Sequence, residues 1–557
     1  MTGTKDGFVP NRGELLFVAL GGAGEIGMNL GLYGTGGRWL MVDLGIGFGD
    51  ESTPGIDVLV PDPGFIAERR DALEAIVLTH AHEDHLGAVA VLWPRLRCPV
   101  YASPFAAAVL RRKLAEAGLE DVPIHTVAPN DHFDAGPFEV EFFTAAHSIP
   151  EGHVLAIRTE AGLAVHATDW KLDPAPLVGA ETDMDGLRAL GAEGVRALMI
   201  DSTNAMVDGS AGSEGELRES LTQIIAECTG RVAVACFSSN IARIETIAHA
   251  AAANDRQTCL VGRSMWRMVE AARETGYLAG TAPFLTEHDA GYLPPERVAM
   301  AVTGSQGERR AALTRIAAND HPSVALEPGD TVIYSSRQIP GNEVAIGRVQ
   351  NQLARQGIEV IVDGARDTHV SGHPARDELR ALYDCLKPAG VVPIHGEARH
   401  LFEQVALAEE AGVDDTLVAE NGTLVRLIPG PLKQVGTVET GRLGVDGKQL
   451  VPLDGQTVRA RHRIGAAGSA VATVVLDRRG RLAADPMVSL QGVTEPDQAE
   501  EFEEDAIDAL IDAIEDLPKN ARADDERIEK TARSAVSGTL RRATGKRPAI
   551  KVHVVRV

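Results

Sequence analysis

The chain has 557 residues, 44% apolar and 24% charged, which at roughly 150 residues per domain allows about three or four domains and excludes a small stapled scaffold. Its net charge of −25 excludes a protein that coats nucleic acid through bulk positive charge, so any nucleic-acid site is local. No stretch approaches the roughly 18 to 20 uncharged apolar residues that span a bilayer. Five scattered cysteines, Cys98, Cys228, Cys236, Cys259 and Cys385, form no CxxC pair and predict reduced thiols. The N-terminus shows no basic region followed by a long apolar core and a small-residue cleavage site, which predicts a cytoplasmic protein.

In chain order, short apolar strands are expected at 15–20, 39–43, 75–79 and 163–167, separated by Gly and Asp turns or by helical stretches such as 104–117. From about residue 212 longer helices (214–228, 240–253, 264–275) alternate with strands at 231–236, 298–303 and 331–335, a second α/β unit. Strands return at 359–362 and 390–394, the latter ending in His395. If His395 joins chemistry begun near His80, residues 212–358 are an insertion in a discontinuous domain made of 1–211 and 359–443. Residues 444–465, rich in Gly, Asp and Arg, read as a linker, and 466–557 as a small α/β domain with strands at 471–477 and 550–556. This tail is polarised: eleven acidic residues and no Lys or Arg lie between Glu495 and Asp516, and eight basic and no acidic residues follow from Lys530. Phe502, Ile507, Leu510, Ile511 and Ile514 form a helical apolar stripe beneath the acidic charges, the pattern of a solvated helix face, with electrostatic subunit pairing as the alternative.

The most informative stretch is His80-Ala-His82-Glu-Asp84-His85, directly after a predicted strand. Three imidazoles and a carboxylate on one turn point nitrogen and oxygen ligands into one small volume. A single ion needs about three protein ligands plus water, so further donors point to two ions. His147, Asp169 and His395 each sit where a predicted strand ends. Asp43 also ends a strand, where a carboxylate could hold the second N–H of a ligand histidine.

HxHxDH followed by isolated His, Asp and His at strand ends resembles the metallo-β-lactamase fold, an αββα sandwich. Asp201 in DSTNA, His373 in HVSGH and His395 in IHGEARH resemble the added motifs of the β-CASP nucleases. GGAGEIGMN, HSIPEG, TDWKLDP, SSRQIPGNE and HVSGH narrow the match to the bacterial ribonuclease J family over about residues 14–440. The resemblance implies a metallo-β-lactamase domain interrupted by a β-CASP domain, with a small C-terminal α/β domain. It implies two divalent ions, Zn²⁺ by the nitrogen and oxygen donors, with Mn²⁺ or Mg²⁺ as alternatives. One would be held by His80, His82 and His147, the other by Asp84, His85 and His395, with Asp169 bridging. A shared water of lowered pKa would attack phosphorus. His373, oriented by Asp201, would protonate the leaving 3′ oxygen. His369, Ser371, Ser238 and Ser239 are where the resemblance places contacts to a terminal 5′ phosphate, and Arg263 is a plausible ionic partner. Asp201 stands where some relatives have Glu, which shortens its reach.

The implied activity is 5′ to 3′ exonuclease action on single-stranded RNA, favouring 5′-monophosphate ends, with endonuclease cleavage in addition, serving rRNA processing and mRNA decay. Implied partners are a second or further copies in a homodimer or homotetramer and RNA-degradation proteins, with no membrane. Two rival readings stand beside it: a metallo-hydrolase of small molecules such as a lactam or thioester, and a non-catalytic RNA-binding subunit. Gly22-Ala-Gly24-Glu-Ile-Gly27 also fits a dinucleotide fingerprint, with Asp43 beyond it. That fingerprint needs a helix after the glycines, whereas Met28–Tyr33, GTGGR and WLMVD read as strand, turn, strand.

Overall fold

Runs rich in Val, Leu, Ile and Ala set the strands, and where both faces are buried the sequence loses its polar alternation. The structure, a computed structural model, describes residues 8–339 and 341–557. The chain divides into two compact units, one comprising residues up to Gly47 together with Val60–Gly441, the other Phe48–Leu59 with Arg442–Val557.

The first unit contains two stacked sheets. One runs in the order Lys433–Thr437, Thr423–Ile428, Leu15–Gly21, Leu30–Thr35, Arg38–Val42, Leu73–Val77, Val100–Ala102, Ile124–Thr126. The other runs His132–Ala135, Phe138–Ala145, Gly152–Thr159, Gly162–Ala167, Val195–Asp201, Gly390–Ile394, Asp415–Thr416. Phe17, Leu40 and Val77 meet Val140, Leu155 and Met199 in the core shared by the sheets. Alternation assigns each side chain a layer. In Val195–Asp201, Ala197 and Met199 face this inner core, while Leu198 and Ile200 face a second core with Leu187, Leu190, Leu379 and Leu382 from the helices Met184–Glu193 and Arg376–Leu386. Each such Leu or Ile stabilises the fold by roughly 1.5–3 kcal/mol when fully buried. On the other sheet, Ser103 accepts a hydrogen bond from the Ala106 N–H and Pro104 occupies the first turn, starting the helix Pro104–Glu116 beside the strand Val100–Ala102. The αββα sandwich expected from the sequence is formed.

After Asp201 the chain leaves the sandwich and builds a wholly parallel sheet, ordered Gln257–Val261, Val298–Val302, Val232–Ala235, Thr331–Tyr334, Glu359–Ile361. Its own core includes Cys259, Met300, Val332, Leu313 and Leu353. The chain then returns through Arg376–Leu386 into Gly390–Ile394, which pairs in parallel with Val195–Asp201, Asp201 opposite Ile394. An α/β unit is therefore inserted between two neighbouring strands of one sheet.

In the second unit the expected linker is corrected. Residues 444–465 fold into most of a hairpin, Arg442–Asp446 with Gln449–Pro452, and the helix Gln456–Ala467. The Gly and Asp that suggested a linker make the hairpin turn, with Gly447 at φ +61°, and Arg461 donates to Asp446 from the helix. Residues 466–557 include a three-stranded sheet, Met487–Gln491, Ser469–Leu476, Ala549–Arg556, packed on the helices Pro496–Glu515 and Asp525–Thr544 through Val474, Leu510, Ile514, Ile528 and Val536. Among the described residues no helix is long and apolar enough to cross a membrane, and all five cysteines are free thiols.

One close approach couples fold to site. Leu44 and Ile46 donate backbone bonds to the His85 and Glu83 carbonyls, at 2.7 and 2.9 Å, so the chain after Arg38–Val42 lies against the histidine-rich turn. A Cβ on Gly45 would fall 1.6 Å from the Asp84 carbonyl oxygen. Gly45→Ala is therefore expected to lower the thermal midpoint, at the upper end of the roughly 1–3 kcal/mol typical of overpacking, and to weaken divalent-metal uptake. Gly347→Ala, in the helix Glu343–Arg355 with nothing within 4 Å of its added Cβ, should instead stabilise by about 0.5–1 kcal/mol. Thermal melts of the two variants side by side check both signs.

Candidate metal centre

Strand ends deliver the chemistry. His80, Asp84 and His85 follow Leu73–Val77, His147 follows Phe138–Ala145, Asp169 follows Gly162–Ala167, Asp201 ends its strand and His395 follows Gly390–Ile394. Asp43 and His395 occupy the left-handed region at φ +62° and +52°, a conformation uncommon for residues other than glycine. Both are pinned: the Asp43 N–H donates to the Val77 carbonyl at 2.8 Å and the His395 N–H to the Gly22 carbonyl at 2.6 Å.

Two groups of donors share Asp169: His80, His82, His147 and Asp169, and Asp84, His85, Asp169 and His395. His82 Nδ1 lies 3.0 Å from both His80 Nε2 and His147 Nε2, and Asp169 Oδ2 lies 3.5 Å from each of the latter two. On the other side, Asp169 Oδ1 is 3.3 Å from His85 Nε2 and 3.6 Å from His395 Nε2, while Asp84 Oδ2 is 3.5 and 3.9 Å from the same atoms. Ligand bonds of roughly 2.0–2.2 Å around a tetrahedral ion place ligand atoms about 3.4 Å apart, so both groups have the right size.

Outer partners set the tautomers. His147 Nδ1–H donates to the Gly372 carbonyl at 2.6 Å, His85 Nδ1–H to Asp43 Oδ2 at 2.7 Å, and His395 Nδ1–H to Asn29 Oδ1 at 2.8 Å. The Thr79 hydroxyl, committed to Asp43 at 2.8 Å, receives His80 Nδ1–H at 3.0 Å. The inward nitrogens of His80, His82 and His147 are left with lone pairs facing one another. Burial holds His80 and His147 well below the usual imidazole range and His82 at about 4, the neutral forms that bind metal. Burial also acts on His85, but Asp169, Asp84 and Asp43 outweigh it and raise this imidazole well above its ordinary value. Asp169 Oδ1 is buried with no hydrogen-bond partner. Converging lone pairs, clustered carboxylates and an orphaned carboxylate oxygen fit a pair of divalent cations.

Beside these groups stands His373, whose Nδ1 lies 2.8 Å from Asp201 Oδ2 and 3.9 Å from Asp169 Oδ2. The aspartate at 201 reaches the imidazole without the extra methylene of a glutamate. Burial would lower His373, yet Asp201 and Asp169 raise it to about 9. The Ser371 hydroxyl accepts from the His373 N–H at 3.1 Å and from Asn204 Nδ2 at 2.9 Å. His369 Nδ1 lies 3.5 Å from the buried Arg243 guanidinium, and burial, then Arg243 and Arg337, hold it well below its ordinary value.

Ser238 and Ser239 follow the strand Val232–Ala235, and Arg263, exposed, follows Gln257–Val261. All three thus sit at carboxyl ends of the inserted parallel sheet. The cap of the helix Ile241–Ala253 is Asn240, which accepts from the Arg243 N–H at 2.8 Å, leaving the two serines free of that task. Among the described residues no hydrogen bond or ion pair joins Ser238, Ser239 or Arg263 to the donor groups.

Sequence reasoning missed Asn29, which is 6% exposed and spans both donor histidines of the second group, its Nδ2 lying 3.0 Å from His85 Nε2. The signal was its place after the glycine run. A Cβ on Gly22 would sit 2.2 Å from Asn29 Oδ1, so these glycines clear space for that amide and no helix follows them.

Four family models match the chain: Beta-lactamase superfamily domain over residues 38–203, Ribonuclease J, beta-CASP domain over 229–353, Zn-dependent metallo-hydrolase RNA specificity domain over 358–418, and Ribonuclease J C-terminal domain over 456–557. The chain is 44% identical over 550 residues to Ribonuclease J of Sinorhizobium meliloti, covering 98% of both chains. It is 38% identical over 551 residues to that of Mycolicibacterium smegmatis, again covering 98% of each. With that of Thermus thermophilus it shares 34% identity over 547 residues, 96% of this chain and 94% of the relative. A crystal structure of a protein of unknown function from Enterococcus faecalis V583 shares the fold, at a TM-score of 0.52 and 16% identity over 74% of this chain and 100% of that one. With donor groups suited to divalent cations and relatives of this identity over nearly its full length, the chain belongs to the ribonuclease J family and is a metal-dependent ribonuclease, a metallo-β-lactamase domain carrying an inserted β-CASP domain and a C-terminal ribonuclease J domain.

Proposed function

We propose that the enzyme degrades single-stranded RNA from its 5′ end, favouring a 5′ monophosphate and cleaving internally as well, in rRNA processing and mRNA decay in the cytoplasm. The observation that carries this reading is the Asp201–His373 pair set against a carboxylate shared by two donor groups. His80, His82 and His147 would hold one ion, Asp84, His85 and His395 the other, with Asp169 between them. Zn²⁺ suits these donors, with Mn²⁺ and Mg²⁺ as alternatives. Two divalent cations held there supply charge neutralisation at the phosphate and a lowered pKa for water.

The chain's own residues do the rest. Asp43 fixes His85 through its Nδ1 and keeps Nε2 turned inward. Asp201 accepts from His373 Nδ1, so Nε2 is free to protonate the leaving 3′ oxygen, and the carboxylate keeps that imidazole in its acid form at neutral pH. Ser371 already accepts two bonds, so its own O–H remains available to donate to a terminal phosphate. His369, Ser238, Ser239 and Arg263 complete that phosphate contact, Arg263 with the planar fork that suits it. Assembly as a dimer or tetramer, and association with other RNA-degrading proteins, belong to the same reading.

A 3′-labelled RNA carrying a 5′ monophosphate should be digested faster than the same RNA carrying a 5′ triphosphate. His373→Ala should lower kcat by about 10²–10⁴-fold while still binding metal; full activity in this variant removes His373 as the acid. Asp201→Asn takes away the carboxylate that raises His373, so protonated acid is lost at lower pH and the basic limb of the kcat profile should move down by about one pH unit or more. Metal analysis of the purified protein should give about two divalent ions per chain, and His395→Ala about one. Chelation should abolish cleavage and lower the thermal midpoint, and a chelated protein that keeps both would refute a metal-held site.

A further inference from the structure

Arg337 lies just past the strand Thr331–Tyr334, at a carboxyl end of the inserted parallel sheet, the edge at which such sheets meet ligands. Its guanidinium donates across to Asn204 Oδ1 in the sandwich. Asn204 is 2% exposed, and its Nδ2 donates to Ser371 Oγ at 2.9 Å and to the His373 carbonyl at 3.0 Å. Both ends of this amide are committed. Turning it over would set its NH₂ against the guanidinium, so Arg337 fixes the orientation in which Asn204 holds the loop bearing His373.

Arg337 itself is exposed, and among the described residues no carboxylate pairs with it. Its backbone is anchored, the carbonyl accepting from Gln306 Nε2 at 2.8 Å. Its charge helps to lower both His369 and His400, after burial and nearer groups, so it lies within electrostatic reach of the His369 loop and of the helix that follows His395. In a chain of net charge −25, a guanidinium left without a carboxylate beside the site retains N–H donors beyond the one given to Asn204. The planar fork matches two phosphate oxygens at once.

We propose that Arg337 binds a phosphodiester of the RNA next to the scissile one and, through Asn204, positions His373, so that occupancy by polymeric substrate and placement of the acid are one event. This rests on the reading of His373 as the acid.

The test uses the metal-loaded full chain with two substrates: a 5′-monophosphorylated single-stranded RNA, and bis(p-nitrophenyl) phosphate, which has no neighbouring phosphate and a leaving group that needs no acid. Arg337→Ala is expected to raise KM for RNA and lower its kcat, each by roughly tenfold as for a lost hydrogen bond to a charged group, with turnover of the small diester within about twofold of wild type. Arg337→Lys should restore KM through its charge and leave kcat low, because an ammonium cannot serve the amide and a phosphate with one rigid fork. RNA kinetics unchanged in Arg337→Ala, or both substrates falling together, would overturn the proposal. If His373→Ala keeps its RNA kcat, the acid reading fails and with it the positioning role, while a KM effect of Arg337→Ala would still stand as a phosphate contact.

Discussion

Asp169 is a carboxylate 3% exposed, with one oxygen 3.5 Å from two imidazole nitrogens and the other within 3.6 Å of two more. Removing a carboxylate from water is costly unless positive charge or hydrogen bonds compensate. Here one oxygen has no hydrogen-bond partner, and burial holds two of the surrounding imidazoles, His80 and His147, neutral while the carboxylates raise His85. The shared carboxylate is therefore only partly compensated, and the sheets, turns and left-handed residues around it hold the donors in that state.

His373 is tied to the same frame. Gly372 gives its carbonyl to His147, and a Cβ there would sit 2.7 Å from His147 Cε1, so a donor histidine and His373 rest on one loop. Asp201 arrives from the strand that leads into the insertion, and His373 from the path that leads out of it. Entry to and exit from the inserted sheet thus carry the Asp201–His373 pair, and Arg243 and Glu214, both wholly buried, are paired at 3.2 Å.

Much of this was legible in the sequence because strands buried on both faces announce themselves as apolar runs, and because three histidines and an aspartate on one turn have little other use. His395 was legible through its place after a strand and through the motif IHGEARH, since no spacing ties it to His80. The glycine run resembled a dinucleotide loop because close approach of backbone to a side-chain amide and to a pyrophosphate make the same demand on glycine. Residues 444–465 were misread because Gly and Asp serve hairpin turns and linkers alike. Asn29, Asn204 and Arg337 were hidden for a different reason: an amide or guanidinium has no periodicity, and its role exists only once chain segments 133 to 366 positions apart have met.

That separation has a consequence for how the protein is made. Every member of the first donor group lies before residue 170, whereas the second requires His395, whose Nδ1 bonds Asn29 across 366 positions. Contacts so distant in sequence form late, and the strand Thr423–Ile428 that flanks Leu15–Gly21 emerges later still. A chain still being synthesised thus lacks the second donor group until residue 395 has been made, when its sandwich is nearly complete.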